Sequence, residues 1–186
     1  LSEDTGISIP IHRGVKQGCP LSPLLFVICY DVLLHKLTAS TLTKHAKQFA
    51  FADDLAIASH NLTDLTDSLH VIHDFASYSG LGLNIDKTEI LTTRTPSYAD
   101  TLFLREEGYG TIAFTNKATY LGVLMGSKIT TIDIFAKAYN KVRDRVVRFR
   151  PVLNKLGLHK RILIYNIFIL PVMYYLAQFF IIPYDQ

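Results

Sequence analysis

Residues 48–59 read Gln48-Phe49-Ala50-Phe51-Ala52-Asp53-Asp54-Leu55-Ala56-Ile57-Ala58-Ser59, two short apolar runs broken by adjacent carboxylates. The runs at 48–52 and 55–59 have the composition of strands that fold back on each other, with both aspartates at the turn. Two anionic side chains side by side repel unless a cation sits between them. Mg²⁺ held by one or two carboxylates together with substrate phosphates is the usual arrangement. A pair of such ions can clamp the attacking and leaving oxygens of a phosphoryl displacement. Aspartate is also a common turn residue, and taken alone the dipeptide reads better as a turn; the flanking sequence decides.

Upstream, residues 13–26 read RGVKQGCPLSPLLF, a loop rich in Gly and Pro that runs into an apolar stretch ending at Leu37. Ser22 followed by Pro23 predicts a helix opening, with the hydroxyl accepting from an orphan N–H and the proline ring supplying a helical φ. Gly14 and Gly18 let the backbone approach a ligand closely, and Gln17 offers donors and acceptors beside it.

Together these segments resemble the reverse transcriptase domain of non-LTR retrotransposons, in which a QGCPLSP-type segment precedes an FADD or YADD hairpin. The resemblance continues in order. Residues 80–89 (GLGLNIDKTE) look like the family's next palm segment, and residues 120–123 (YLGV) look like the hairpin at the boundary of palm and thumb. Residues 158–175 are similar to the helical stretch that follows the palm, so the match covers nearly the whole chain.

Composition bounds the chain independently. With 186 residues and 49% hydrophobic content it can bury a core, and it is not a disordered protein. Cys19 and Cys29 are too few for a metal cage or a disulfide framework, which suits an intracellular compartment, nucleus or cytoplasm. The first ten residues, LSEDTGISIP, show no initiating Met, no basic region and no apolar run, so no secretory signal is expected and the chain reads as starting in mid-domain.

Charge is unevenly placed. Residues 137–161 hold nine basic side chains against Asp144, hence +8, so the rest of the chain carries −5 of the net +3. Lys137, Lys141, Arg145 and Arg148 recur at helical spacing, with Ala138, Val142, Val146, Phe149 and Leu153 free to face inward. Such a stripe can track a phosphate backbone with salt-sensitive affinity, although solvated helix faces often look the same. Beside a polymerase palm it reads as a thumb helix holding the template and primer.

The remaining pattern predicts a strand at 7–11 and helices at 22–37 and 63–79, the latter ending at Gly80 and burying Leu65, Leu69, Ile72, Phe75 and Ala76. Strands are expected at 89–93 and 112–114, a strand pair at 118–125, and an exposed connection over 95–110. His70 and His73 read as surface histidines, since no carboxylate or cysteine completes a ligand set. Asn61-Leu62-Thr63 fits a glycosylation pattern and reads as a helix entrance. Residues 162–183 are uncharged and long enough to span a bilayer, but Asn166, Pro171 and Gln178 interrupt them and no membrane span is expected.

The resemblance implies an α+β fold: a right-hand polymerase palm, an antiparallel sheet backed by helices, over 1–126, then a helical thumb fragment over 127–186. It implies RNA-directed DNA polymerisation with Mg²⁺ or Mn²⁺, an RNA template, a DNA primer and deoxynucleoside triphosphates. Asp53 would be the principal metal ligand, with Asp54 a neighbouring ligand or electrostatic support. Arg13, Gln17, Gly18 and Pro20 would line the nucleotide and template site. Lys87 is the candidate general acid for the pyrophosphate, a surface lysine being the equal alternative. The family also needs a palm aspartate and basic fingers before the QGCPLSP segment. Glu3 and Asp4 lack the flanking apolar strand such a ligand requires, so the chain is expected to hold half a metal site and to be inactive alone. Two other readings stay open: a nucleic-acid-binding remnant without catalysis, and a group II intron maturase-type reverse transcriptase.

Overall fold

The computed structural model describes residues 14–40 and 45–183, so the strand expected at 7–11 lies outside the described residues. The chain divides into two compact units, one of residues 1–88 and 96–113, the other of residues 89–95 and 114–186.

In the first unit, helix α1 (Ser22–Ala39) precedes strands β1 (Lys47–Phe51) and β2 (Asp54–Ala58), followed by helix α2 (Leu62–Ser79) and helix α3 (Tyr98–Glu106). β1 and β2 form an antiparallel hairpin in register Lys47↔Ala58 through Phe51↔Asp54. The Asn61 side chain accepts from the Asp64 N–H to open α2, and Gly80 closes it in the left-handed conformation at φ 73°. The Asn61 sequon is thus a helix cap. Of the stripe read from the sequence, Leu69, Ile72 and Phe75 are buried and Leu65 and Ala76 half-buried; Leu33 and Leu37 are buried positions of α1, which packs on α2. Five other apolar side chains of α1, Leu24, Leu25, Val27, Ile28 and Val32, remain exposed. Lys36 of α1 reaches Asp74 of α2 at 3.2 Å and lies over the Tyr78 ring.

Residues 95–110 are not an exposed connection. Ser97 and Asp100 form a reciprocal capping box that starts α3, and Leu104 is buried to 2% exposure. Pro96 and Ser97 are helix-entry residues here, and Leu104 anchors the helix. His70 is exposed, as expected, and makes contacts with the segment that follows α3. Its Nε2 meets Glu107, just after α3, at 2.8 Å, and its ring packs edge-on against the buried Tyr109.

The second unit contains β3 (Glu89–Leu91), all but the first residue of β4 (Ala113–Thr115), β5 (Lys117–Tyr120), β6 (Val123–Gly126) and the helices α4 (Thr131–Leu153), α5 (Leu158–Ile164) and α6 (Pro171–Ala177). β3 pairs with β4, and β5 pairs antiparallel with β6. The fold is α+β as expected, but the described strands make three two-stranded ladders instead of one sheet, each strand being only three to five residues long. A second capping box, Thr130 with Asp133, starts α4. Its hydrogen bonds hold the Asp133 carboxyl below the usual carboxylate range. Phe135 and Ala138 of α4 are buried with Leu176 of α6, and Val123, Ile134, Val172, Met173 and Phe180 pack around them. The uncharged segment is broken: α5 passes into a wide turn, Tyr165–Ile169, and the helix bends by 49° at Pro171, whose ring supplies no N–H. By length and composition α1 could cross a bilayer, as could the bent pair.

Candidate active site

The hairpin that carries the carboxylates is set one residue earlier than its sequence suggests. Phe51 pairs with Asp54, so the loop is only Ala52 and Asp53, and Asp54 is the first residue of β2 instead of a turn residue. Ala52 has φ 52°, a left-handed conformation that a two-residue loop demands and that glycine normally supplies. An alanine there is strained, and such strain persists at sites where the geometry has a use. Asp53 and Asp54 are both exposed, and among the described residues neither takes part in an ion pair. Each offers carboxylate oxygens to solvent, the donor type that hard divalent cations such as Mg²⁺ and Mn²⁺ accept. Among the described residues no group of three or more His, Cys, Asp or Glu side chains is placed to hold a metal ion.

The loop before α1 is organised by Ser22, against the expectation from its sequence. Ser22 does not cap the helix; Leu21 stands at the cap position without a side-chain bond. The buried Ser22 hydroxyl instead donates to the Lys16 carbonyl at 2.6 Å, and its N–H donates to the Cys19 carbonyl. That pair of bonds ties the loop back onto the helix start. Gly14 and Gly18 sit at φ 86° and 84°, with open space where a side chain would stand. Hydrogen bonding to the Leu21 backbone, then to the Ser22 side chain, holds the Cys19 thiol below its ordinary value. Gln17, Gly18 and Pro20 are all exposed; Arg13 lies outside the described residues. Lys87 ends the short helical turn Ile85–Lys87 and is exposed. Gln17, Gly18, Pro20, Asp53, Asp54 and Lys87 fall in one compact unit.

On α4, Lys137, Lys141 and Arg148 are exposed as a stripe, whereas Arg145 is half-buried and its Nη1 donates to the Phe168 carbonyl. Sequence spacing places Arg145 in the stripe but cannot show that the broken helix after it offers a carbonyl. Equally invisible to spacing is Tyr175, whose hydroxyl donates to the Leu121 carbonyl at 2.7 Å.

Residues 2–125 match the family described as reverse transcriptase (RNA-dependent DNA polymerase). The chain belongs to this family. Within the matched segment lie the Gly-rich loop, the aspartate hairpin, the Lys87 turn and the turn of the β5–β6 hairpin. It is 43% identical over 79 residues to the retrovirus-related Pol polyprotein from type-2 retrotransposable element R2DM of Drosophila melanogaster, covering 40% of this chain and 8% of that protein. To the Pol polyprotein of the type-1 element R2 of Popillia japonica it is 36% identical over 95 residues, 48% of this chain and 16% of that protein. A longer match, 23% identical over 152 residues, joins 76% of this chain to 44% of the Pol polyprotein of the type-1 element R1 of Nasonia vitripennis. The chain therefore spans less than half the length of each of these relatives.

Proposed function

We propose that this chain carries part of the polymerase centre of a non-LTR retrotransposon reverse transcriptase, adding deoxynucleotides to a primer 3′-OH on an RNA template. The observation that carries the reading is the two-residue loop that presents Asp53 beside Asp54 with Ala52 in a strained conformation, inside a segment matching the family. In the reaction the primer 3′-oxygen forms a bond to the α-phosphorus of the incoming triphosphate, the bond from that phosphorus to the bridging oxygen breaks, and pyrophosphate leaves. Asp53 would be the main ligand of Mg²⁺ or Mn²⁺, with Asp54 a second ligand or an electrostatic support. When bound, the cations neutralise charge on the attacking and leaving oxygens. Gln17, Gly18 and Pro20, with Arg13, would line the floor under the nucleotide and template base, where Gly18 leaves room for close approach. Lys87 would deliver a proton to the departing pyrophosphate.

The exposed basic residues of α4 support contact with the phosphates of the template and primer duplex. On this reading residues 1–126 are the later part of the palm, residues 127–186 a thumb-like segment, and the protein works inside the cell. Two carboxylates do not complete a two-metal centre, so polymerisation requires a further carboxylate on a neighbouring palm strand. The test is primer extension on an RNA template with Mg²⁺, by the chain alone and by the chain joined to the preceding palm and fingers of a full-length relative. Extension by the joined protein that Asp53→Ala abolishes, with background activity from the chain alone, is the expected result. Extension that survives Asp53→Ala would overturn the assignment.

A further inference from the structure

Two of the seven prolines follow a hydroxyl residue, Pro23 after Ser22 and Pro96 after Thr95. In the linear sequence the two pairs are equivalent, and the fold makes them opposites. Ser22 is the first residue of α1, only 8% exposed, and its hydroxyl already donates to the Lys16 carbonyl at 2.6 Å. Thr95 is exposed and belongs to no helix or strand, in the segment between β3 and α3. Its neighbours are tied up locally. The Thr92 hydroxyl donates to the Arg94 carbonyl at 2.9 Å and accepts from the Arg94 N–H at 3.2 Å, and the Ser97 hydroxyl is held in the capping box with Asp100. Arg94 reaches the Thr95 carbonyl, not its hydroxyl. Thr93 is also exposed, but Arg94 follows it where Thr95 has a proline.

A protein kinase takes its substrate as an extended strand, and the residue before a proline is held to that conformation because the ring crowds the helical one. A kinase whose pocket for the next residue offers no acceptor to an N–H selects proline, which has none to satisfy. We propose that Thr95 is a phosphorylation site for a proline-directed protein kinase, and that burial keeps the second candidate, Ser22, out of reach. In the reaction the Thr95 Oγ1 forms a bond to the γ-phosphorus of ATP, the bond from that phosphorus to the β,γ-bridging oxygen breaks, ADP leaves, and the hydroxyl proton passes to the kinase's catalytic base. The product carries a dianionic group beside the Arg94 guanidinium, two residues before the cap of α3. A setting inside the cell is shared with the proposed function; the polymerase chemistry is not involved.

The experiment incubates the intact chain with a proline-directed kinase and ATP, and maps phosphate by mass spectrometry over time. Synthetic peptides of residues 16–29 and 89–101, treated in the same way, give the rate at each site without the fold. Thr95 in the intact chain should be modified within about three-fold of its peptide rate, whereas Ser22 should be at least about ten-fold slower than its peptide, because a buried, bonded hydroxyl reaches a kinase only by local opening. Thr95→Ser should keep the phosphate and Thr95→Val should lose it. No phosphate on Thr95 of the intact chain, or a rate there slowed against its peptide as much as that of Ser22, would overturn the assignment. Equal rates for Ser22 in chain and peptide would overturn the selection by burial.

Discussion

Arg145 of α4 donates from Nη1 to the carbonyl of Phe168, in the wide turn that precedes Pro171. A guanidinium presents several donors in a rigid fork, so it can hold a backbone carbonyl where a helix breaks. The residue therefore separates from Lys137, Lys141 and Arg148, with which it shares spacing but not surroundings. Arg145→Gln should lower stability by about 1 kcal/mol through removal of that bond, whereas Gln at the other three positions should each change stability by less than about 0.5 kcal/mol. Replacing those three together should reduce the salt slope of duplex binding by roughly 0.9 for each phosphate no longer neutralised, across many sequences alike. Denaturant melts and a salt titration of binding check both halves. A slope unmoved by the triple replacement would return the stripe to an ordinary solvated face.

The Thr130 and Asp133 capping box gives α4 an acid-sensitive start. The folded-state pKa of Asp133 is lowered by hydrogen bonds from the Thr130 backbone and hydroxyl. A group with a depressed folded pKa contributes stability that is fully present above its unfolded value and is lost as pH falls through the folded value. Thermal melts of the parent should therefore lose stability on the acid side of the ordinary carboxylate range, and Asp133→Asn should flatten that part of the profile. A mutant profile parallel to the parent's would show that the box contributes nothing to the linkage.

Gly126 ends β6 at φ 154°, and a Cβ there would stand 2.1 Å from the Asn116 carbonyl oxygen. Backbone cannot yield as a flexible side chain can. Gly126→Ala should cost on the order of 2–3 kcal/mol, comparable to a serious core defect. Gly18→Ala, with open space around it, should cost only the strain of its positive φ, about 1–2 kcal/mol. Equal melting temperatures for the two variants would contradict this ordering.

The long periodic elements are readable from sequence because their burial follows from spacing. α2 has its cap, its stripe and its glycine stop in one stretch, and the FADD hairpin has turn chemistry between two β-rich runs. α3 is harder: Pro96 and the glycines at 108 and 110 argue for a loop, and they outweigh the Ser97-x-x-Asp100 pattern, which in the folded chain is a helix start. Ser22 reads as a cap because serine before proline commonly is one, and the Lys16 carbonyl, six residues earlier, wins its hydroxyl only once the loop has folded. Contacts between distant residues, His70 with Glu107 and Tyr175 with Leu121, leave no local pattern at all. The candidate site is legible in its residues, since QGCPLSP and FADD are short strings, but the strain at Ala52 depends on the register of pairing, and no residue type announces it.

Ala52→Gly should relieve that strain. The left-handed penalty for alanine, about 1–2 kcal/mol, exceeds glycine's extra unfolded-state entropy, about 0.4–1 kcal/mol. A net gain in stability is expected on chemical denaturation. A loss would mean that neighbouring contacts favour the alanine methyl.

Whether the Asp53 and Asp54 hairpin is built to receive a divalent cation is decided by melting curves of the parent and Asp53→Asn, each with and without millimolar Mg²⁺ or Mn²⁺. Adjacent carboxylates repel in the metal-free protein, to an extent set by screening, so Asp53→Asn should melt higher without metal. A cation that binds only the folded state stabilises by mass action, so the parent should gain stability on addition of metal and the mutant should not. A parent no less stable than Asp53→Asn, with neither responding to metal, would refute the cation site and leave the pair an ordinary exposed turn.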